Sequence, residues 1–207
     1  MADTFTLRRG LKNIYVAEVT ADTGASYTTG TPYKLIPAGE LSVTVENDLA
    51  RYYFDNSVFA QVGREGSSEI TISGAQLRAK MIAAITGKDV DAGTGAILDA
   101  GTFVQDKYFA LGAEIGQIDG TVEMFWFLKG SFSIPDDKGK TEGEDTDASG
   151  TELTYTAIPT VHEFSATTKV CKRVVIDTET TQVKSGSDWF GQVVTPDNQS
   201  TIVEAVS

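Results

Sequence analysis

The segment WFLKGSFSIP at residues 126–135 says more about the fold than any other part of the chain. It lies within a longer apolar segment, residues 121–134, whose side chains would point alternately to the two faces of a β-strand. A strand that is apolar on both faces needs cover on both sides. Because the chain is short and poor in helix, we expect a second copy of the protein to supply one of the two covers.

The segment that follows, residues 135–150, has the opposite character. Residues 136–150 contain six carboxylates, two lysines and three glycines, which is too polar and too flexible a composition for regular structure. We therefore predict an acidic loop directly after the apolar strand. A covered strand that leads into such a loop favours an assembling structural protein over an enzyme.

Composition and charge limit the classes of function. The chain has 207 residues, of which 41% are hydrophobic and 22% charged, so a folded core is expected. With 29 acidic and 17 basic residues, the net charge of −12 argues against nucleic-acid binding through phosphate contacts. The same charge is compatible with DNA that passes nearby without binding.

The cysteine count and the first residues bear on the compartment. Cys171 is the only cysteine, so no disulfide framework is expected. Residues 1–10 contain no apolar stretch of the kind a secretory signal needs, and no apolar run is longer than residues 124–128, which are too few to span a bilayer.

The rest of the chain is typical of a mainly β protein. Leu41, Val43 and Val45 alternate with polar residues, which is the period of a half-buried strand. Strands are predicted at residues 13–20, 32–36, 41–46, 51–54, 57–62, 69–73, 103–115, 121–134, 152–164, 169–177 and 188–194. This pattern predicts a β-sandwich or barrel as a single domain over residues 1–194, followed by a C-terminal arm at residues 195–207.

One helix is predicted at residues 74–86. Ser73 and Gln76 have the spacing of a capping box, and Gly87 provides a stop. An apolar stripe on this helix should pack against the sheet, and it consists of Leu77, Met81, Ile82 and Ile85.

Catalytic residues are not indicated by the sequence. His162, the single histidine, lies in a predicted strand, and no nucleophile-elbow pattern accompanies it. Cys171 is next to Lys172, but neighbouring strand residues point to opposite faces, so the lysine should not activate the thiol. We therefore expect no enzymatic activity.

Two short motifs suggest ligands without completing a site. Residues 93–95, GTG, begin like a dinucleotide fingerprint, but Leu98 occupies the position of the third glycine and no helix follows. Residues 145–150, DTDASG, match the first half of a calcium loop, whereas Thr156 stands where a bidentate Glu is required. We predict neither a cofactor nor a metal.

Runs of three consecutive aromatic residues occur at two places, residues 52–54 and 125–127. Because such residues alternate between the two faces of a strand, one core should not bury all of them, and the excess favours protein–protein contact. The candidates for an assembly interface, taken together with the acidic loop, are Tyr52, Tyr53, Phe54, Asp55, Asn56, Phe59, Phe125, Phe127, Asp136, Asp137, Glu142, Glu144 and Asp145.

These segments also carry a family resemblance. In order and spacing, the chain from residue 10 to residue 164 resembles the major tail proteins of long-tailed, non-contractile bacteriophages of the phi13 type. Phe54 stands where that family more usually has a small residue. The segments that carry the resemblance are 10–17 (GLKNIYVA), 52–56 (YYFDN), 110–114 (ALGAE), 119–120 (DG) and 125–135 (FWFLKGSFSIP).

The resemblance implies a tail tube protein of the virion, assembled in the bacterial cytoplasm. Such proteins form hexameric rings that stack into a tube around a tape-measure protein, between a tail terminator and a distal tail protein, and DNA later passes through the lumen. We expect the wall of that lumen to be acidic, since lysine or arginine side chains there would pair with DNA phosphates. Two other classes stay open: a secreted or surface β-sandwich adhesin and a carboxylate hydrolase.

Overall fold

The computed structural model describes residues 5–54, 56–98, 107–136 and 150–206. The described chain is mainly β and forms a β-sandwich with a flanking helix, which confirms the predicted fold class. The strands are β1 Arg8–Asp22, β2 Tyr27–Thr29, β3 Tyr33–Ile36, β4 Ala38–Phe54, β5 Ser57–Gly74, β6 Asp89–Val90, β7 Ile97–Leu98, β8 Phe109–Gln117, β9 Val122–Phe132, β10 Thr151–Ala157, β11 Arg173–Asp177, β12 Thr181–Val183 and β13 Val203–Ala205, and the helices are α1 Ala79–Thr86 and α2 Gln199–Ile202.

One large antiparallel sheet contains most of the strands, in the order β2-β1-β8-β9-β10-β5-β4. Strand β9 pairs with β8 along one edge, and along the other edge with β11 near its start and β10 near its end. Strand β3 pairs with β1 and continues through Pro37 into β4, which pairs with β5. The chain thus links both ends of the strand order, and the sheet curls around one interior.

The middle of β9 is buried on both faces by the chain itself. Phe125 and Phe127 point into one hydrophobic cluster, and Trp126 and Leu128 point into another. The exposed fraction of these four residues is 1% or less. The prediction that a second copy covers this strand is therefore wrong, because the C-terminal part of the same chain provides the second cover.

We call the two clusters the inner core and the outer core. The inner core lies inside the curled sheet, and its members include Ile14, Val16, Ile70, Ile72, Phe109, Leu111, Phe125, Phe127, Phe132, Leu153 and Tyr155. The outer core lies between the opposite face of the sheet and the C-terminal segments, and its buried members are Ala17, Ala110, Trp126, Leu128, Phe164, Val174, Ile176, Trp189, Val193, Val194 and Ile202.

Trp126 is the centre of the outer core. Its indole ring lies directly over Gly112, where an added Cβ would be 2.8 Å from ring atoms. The indole N–H donates a hydrogen bond of 3.1 Å to the carbonyl of Trp189. Phe190 packs beside this ring and stacks on Tyr15, with ring centroids 4.8 Å apart. Burial of each such large side chain contributes about 1.5–3 kcal/mol, so the C-terminal cover is a substantial part of the fold.

The flanking helix is shorter than predicted. It begins at Ala79, because Ser73 remains in β5, where it pairs with Glu152 of β10. The predicted capping box is therefore wrong, and the residue before the helix, Arg78, provides no side-chain cap. Ser73 therefore takes part in the backbone hydrogen bonding of the sheet and does not cap the helix. The predicted stop is correct, since Gly87 ends the helix with a left-handed φ of 74°.

The C-terminal predictions need two corrections. Residues 188–194 form turns rather than a strand, and Trp189, Val193 and Val194 are buried in the outer core. Residues 195–206 do not project as an arm, because α2 buries Ile202 and β13 pairs with β12. The apolar side chains of these segments are the cover that Trp126 and Leu128 require.

Strands β4 and β5 form one long hairpin where the sequence predicted four short strands. Strand β10 pairs with β5 from Gly74 to Ser68 and then ends. Beyond the pair formed by Val45 and Ser68, no third strand of the described chain joins the hairpin, which continues for roughly 30 Å. We call this projecting part, residues 46–67, the arm. The arm and α1 lie at opposite ends of β5.

Candidate functional site

The tip of the arm carries an exposed aromatic cluster. The tyrosine pair, Tyr52 and Tyr53, is 53% and 60% exposed, whereas Phe54 is 61% and Phe59 is 74% exposed. Aromatic side chains of this size are seldom left in water together, and exposed apolar patches of this kind mark interaction sites. These predicted interface residues are therefore accessible in the single chain.

A bulge and a tight turn shape this tip. Phe59 is the extra residue of a β-bulge opposite the tyrosine pair, and bulges re-aim side chains. The Phe59 ring meets the Phe54 ring edge to face, with centroids 5.1 Å apart. Asn56 adopts a left-handed φ of 59°, a conformation that asparagine tolerates well. Asp55 lies outside the described residues.

The arm also presents free strand edges. Among the described strands, none pairs with the outer edge of β4, and none pairs with the other edge of β5 beyond Ser68. Unpaired N–H and C=O groups along such an edge are a template for a strand of another chain. A two-stranded ribbon is only marginally stable in water, so a contact along the arm would stabilise it.

The sheet has a second notable surface, on the side of β4, β5, β10 and the end of β9 that faces away from the inner core. We call it the polar face. Its side chains are hydroxyls and carboxylates that lie in cross-strand rows. The rows are Ser42, Thr71 and Thr154; Thr44, Glu69, Thr156 and Ser131; and Glu40, Ser73 and Glu152.

The polar face is the part of the outer sheet surface that the outer core does not cover. Glu40, Glu69 and Glu152 are exposed on it, and no position in its rows is a lysine or an arginine. The sequence did not predict a surface formed by Glu40, Glu69 and Glu152. The signal was present, because carboxylate and hydroxyl residues alternate with apolar ones along all three strands.

The other predicted interface residues lie elsewhere. Phe125 and Phe127 are in the inner core, so they are not accessible to another chain, and their assignment as interface residues is corrected. Asp136 is exposed at the start of the acidic loop. Outside the described residues lie the remaining loop candidates Asp137, Glu142, Glu144 and Asp145.

His162 does not belong to a catalytic arrangement. It lies in a bend rather than in the predicted strand, its backbone N–H donates to Asp22 at 2.9 Å, and its ring packs against Phe164. The Asp22 carboxylate forms a buried ion pair with the ammonium group of Lys129, at 2.6 Å. Burial opposes ionisation of Asp22, but hydrogen bonds from Lys129 and two backbone N–H groups hold its pKa below the ordinary value. This polar cluster joins three segments of the fold.

Cys171 is not an activated thiol. Burial raises its pKa, and its Sγ donates a hydrogen bond of 3.3 Å to the carbonyl of Arg173. Lys172 points away from it, towards the carboxylate of Glu65, as the strand alternation predicts. A thiol with a raised pKa is a weak nucleophile at neutral pH.

The short motifs also have structural roles where they are described. The backbone N–H groups of Gly93 and Thr94 donate to Asp91 at 3.1 and 2.6 Å, in a turn that leads into β7 rather than into a helix. Residues 145–149 of the calcium-like segment lie outside the described residues. Within the described ranges, no three His, Cys, Asp or Glu side chains are grouped so that they could hold a metal ion.

A scan against models of protein families gave no match, and a search of curated proteins found none that is significantly similar. In the part of the chain that the structure describes, neither helix has the length and apolar character needed to cross a membrane.

Proposed function

We propose that this chain is the self-assembling subunit of a phage tail tube, the function that its resemblance to major tail proteins implies. The observation that carries the proposal is the arm, whose aromatic tip and strand edges have no cover within the described chain. In this proposal, six copies form a ring, and rings stack into a hollow tube.

The arm supports a head-to-tail contact between copies. It projects from one end of β5, whereas α1 lies at the other end, so the aromatic tip of one copy would reach a different surface of the next. Contacts between two different surfaces are heterologous: they close into rings or continue into filaments, as their geometry dictates. A stacked tube uses both kinds of contact.

The polar face suits the wall of the lumen. Its serine, threonine and glutamate side chains offer no cation to DNA phosphates, so DNA could pass without the counterion release that drives binding. Repulsion from its carboxylates would be screened over about 8 Å at physiological salt, which leaves a hydrated gap. In this account the DNA and the tape-measure protein occupy the lumen in turn, and terminator and distal tail proteins close the ends of the tube.

Electron microscopy of the purified chain at high concentration tests the assembly. We expect hollow tubes for the wild type and for Leu98→Asp, a control at an apolar residue that is 55% exposed but distant in sequence from the arm. We expect no tubes for Phe54→Asp combined with Phe59→Asp. If the wild type stays monomeric at all concentrations, or if the double variant forms normal tubes, the proposal is contradicted.

A charge-reversal variant tests the assignment of the polar face. Glu69→Lys places a cation in the middle of the longest polar row. Tubes of this variant should retain a short duplex DNA at low salt and release it at high salt, whereas wild-type tubes should not retain it. The matched control is Glu163→Lys, at an exposed residue outside the polar face. Equal retention by the two variants would place the polar face outside the lumen.

A further inference from the structure

The foot of the arm has an unusual construction. Here β5 loses its pairing with β10 at Ser68, and two residues of β5, Gly66 and Ser67, lie opposite a single residue of β4, Glu46. Ser67 donates a hydrogen bond of 2.5 Å to the Glu46 carboxylate. A bulge of this kind bends a two-stranded ribbon and increases its twist, so the direction of the arm is set at this point.

Gly66 leaves little room for adjustment at the bulge. An added Cβ at Gly66 would be 3.2 Å from the Glu46 Cβ and 3.4 Å from the Glu46 carbonyl oxygen. The two strands are therefore in close contact here. A larger residue at position 66 would require the neighbouring strand to shift.

One side chain from the rest of the chain, which we call the body, forms hydrogen bonds with the arm at this foot. The ammonium group of Lys172 donates to the Glu65 carboxylate and, at 3.1 Å, to the backbone carbonyl of Gly66. The Lys172 side chain is only 13% exposed, although that of Glu65 is 61% exposed. A lysine that is held by two acceptors and largely removed from water is a more restrictive contact than a typical surface ion pair.

The backbone of Lys172 is itself fixed to the centre of the sheet. Its carbonyl accepts a hydrogen bond of 3.0 Å from the N–H of Leu128 in β9, immediately before β11 begins. Leu128 is buried in the outer core. The lysine thus connects the foot of the arm to the buried centre of the sheet.

From these contacts we infer that Lys172 is a positioning residue, which sets the direction of the arm relative to the body. Since the arm extends for roughly 30 Å, a rotation of about 10° at its foot would displace the aromatic tip by about 5 Å. That displacement is the width of one strand spacing, enough to lose a defined contact. Only the consequence for assembly rests on the proposed function; the positioning is a property of the single chain.

Single-molecule energy transfer at picomolar concentration measures the direction of the arm without assembly. Dyes are attached to Gln61→Cys in the arm and Glu152→Cys in the body, both exposed positions, in a Cys171→Ser background that removes the native thiol. We expect a narrow distribution of transfer efficiency for the labelled chain with Lys172 intact. With Lys172→Met the distribution should broaden or shift, whereas Lys169→Met, an exposed neighbour, should leave it unchanged.

A conservative substitution separates positioning from a general loss of packing. Lys172→Arg keeps a cation that can donate both to Glu65 and to the Gly66 carbonyl, so it should restore a large part of the narrow distribution. A Lys172→Met distribution identical to that of the parent would contradict the inference and assign the direction of the arm to the strand pairing alone. Broadening by Lys172→Met without recovery in Lys172→Arg would also contradict it, since the loss of the two donated hydrogen bonds would then not be the cause.

Assembly is then measured at high concentration on the unlabelled wild type and on unlabelled Lys172→Met, as a separate result. If Lys172→Met alters energy transfer and slows tube formation, both the inference and the proposed function are supported. If it alters energy transfer while the wild type forms no tubes, the positioning role holds and the proposed function fails. If tubes form and energy transfer does not respond to Lys172→Met, the positioning role fails and the proposed function holds.

Discussion

Residues 52–54 and 125–127 have nearly the same sequence character and opposite surroundings. YYF at the end of β4 and FWF in the middle of β9 are both runs of three aromatic residues in a strand. Tyr53 is 60% exposed, whereas Trp126 is completely buried. Both runs place aromatic rings on both faces of a strand. Only residues 125–127 are covered on both faces by other parts of the described chain.

The difference lies in what the rest of the chain supplies. The second face of β9 is covered by segments that follow it in the sequence by more than a strand length, including Trp189 and Ile202. No described segment reaches the arm beyond its foot. A doubly apolar strand therefore shows only that cover is needed, and the identity of that cover depends on chain segments far away in the sequence. For residues 52–54, we propose that the cover is another copy.

The largest expected effect on stability follows from replacing a residue of the buried run. Phe127→Ala should lower the free energy of unfolding by about 3–5 kcal/mol, because it leaves a cavity in the inner core. The same truncation at the tip, Phe59→Ala, should cost less than about 1 kcal/mol, since it removes little more than one edge-to-face contact. Urea unfolding of dilute protein measures both values. Equal losses would remove the distinction between the two aromatic runs.

A second large effect is expected at the polar cluster formed by Asp22, Lys129 and the backbone of residues 161 and 162. Asp22→Asn would leave Lys129 without its charged partner at a site where the two side chains are only 4% and 9% exposed. We expect a loss of about 3 kcal/mol. Glu163→Gln, at an exposed carboxylate, is the matched control and should change stability by less than about 0.5 kcal/mol.

The stability difference between the wild type and Asp22→Asn should depend on pH in one direction. The pKa of Asp22 is lowered in the fold, so the stability that this group contributes is complete above its unfolded pKa of about 4. This contribution is lost as the pH falls through the folded pKa. The difference in stability between the wild type and Asp22→Asn should therefore be constant near neutrality and shrink below about pH 4. A difference that stays constant throughout the acid range would show that the carboxylate charge does not matter.

A smaller effect is expected where the outer core meets the sheet. Gly112→Ala places a methyl group 2.8 Å from the ring of Trp126, so the indole must shift. We expect a loss of about 1–3 kcal/mol and a changed near-ultraviolet circular dichroism signal from the indole. Gly24→Ala, which meets nothing within 4 Å, is the control and should leave both unchanged. An unaltered signal for Gly112→Ala would mean that the outer core is loosely packed.

The fold class could be predicted from the sequence because it depends on local patterns. Leu41, Val43 and Val45 alternate with polar residues, and they belong to one face of β4 as expected. The start of the helix could not be predicted in this way. Ser73 and Gln76 form a plausible local cap, but the hydrogen bonds that Ser73 makes in the sheet depend on β10, which is distant in the sequence.

The candidate site was only partly predictable for the same reason. The exposed tip was found because residues 52–54 are conspicuously aromatic, but Phe125 and Phe127 were chosen by the same argument and are in the core. The polar face was not predicted, because its serine, threonine and glutamate residues come together only when strands that are distant in the sequence pair with one another. Lys172 carries no sequence signal for its role, since its partner Glu65 is in another hairpin.

Sedimentation velocity over a range of protein concentrations shows whether the aromatic tip drives assembly, when the wild type is compared with the double variant Phe54→Ser, Phe59→Ser. We predict large species for the wild type at high concentration and a folded monomer for the variant, with an unchanged unfolding midpoint in dilute solution. The aromatic tip would then be an assembly surface and not a part of the core. Equal assembly of the two proteins, or a variant that is unfolded when dilute, would contradict this account.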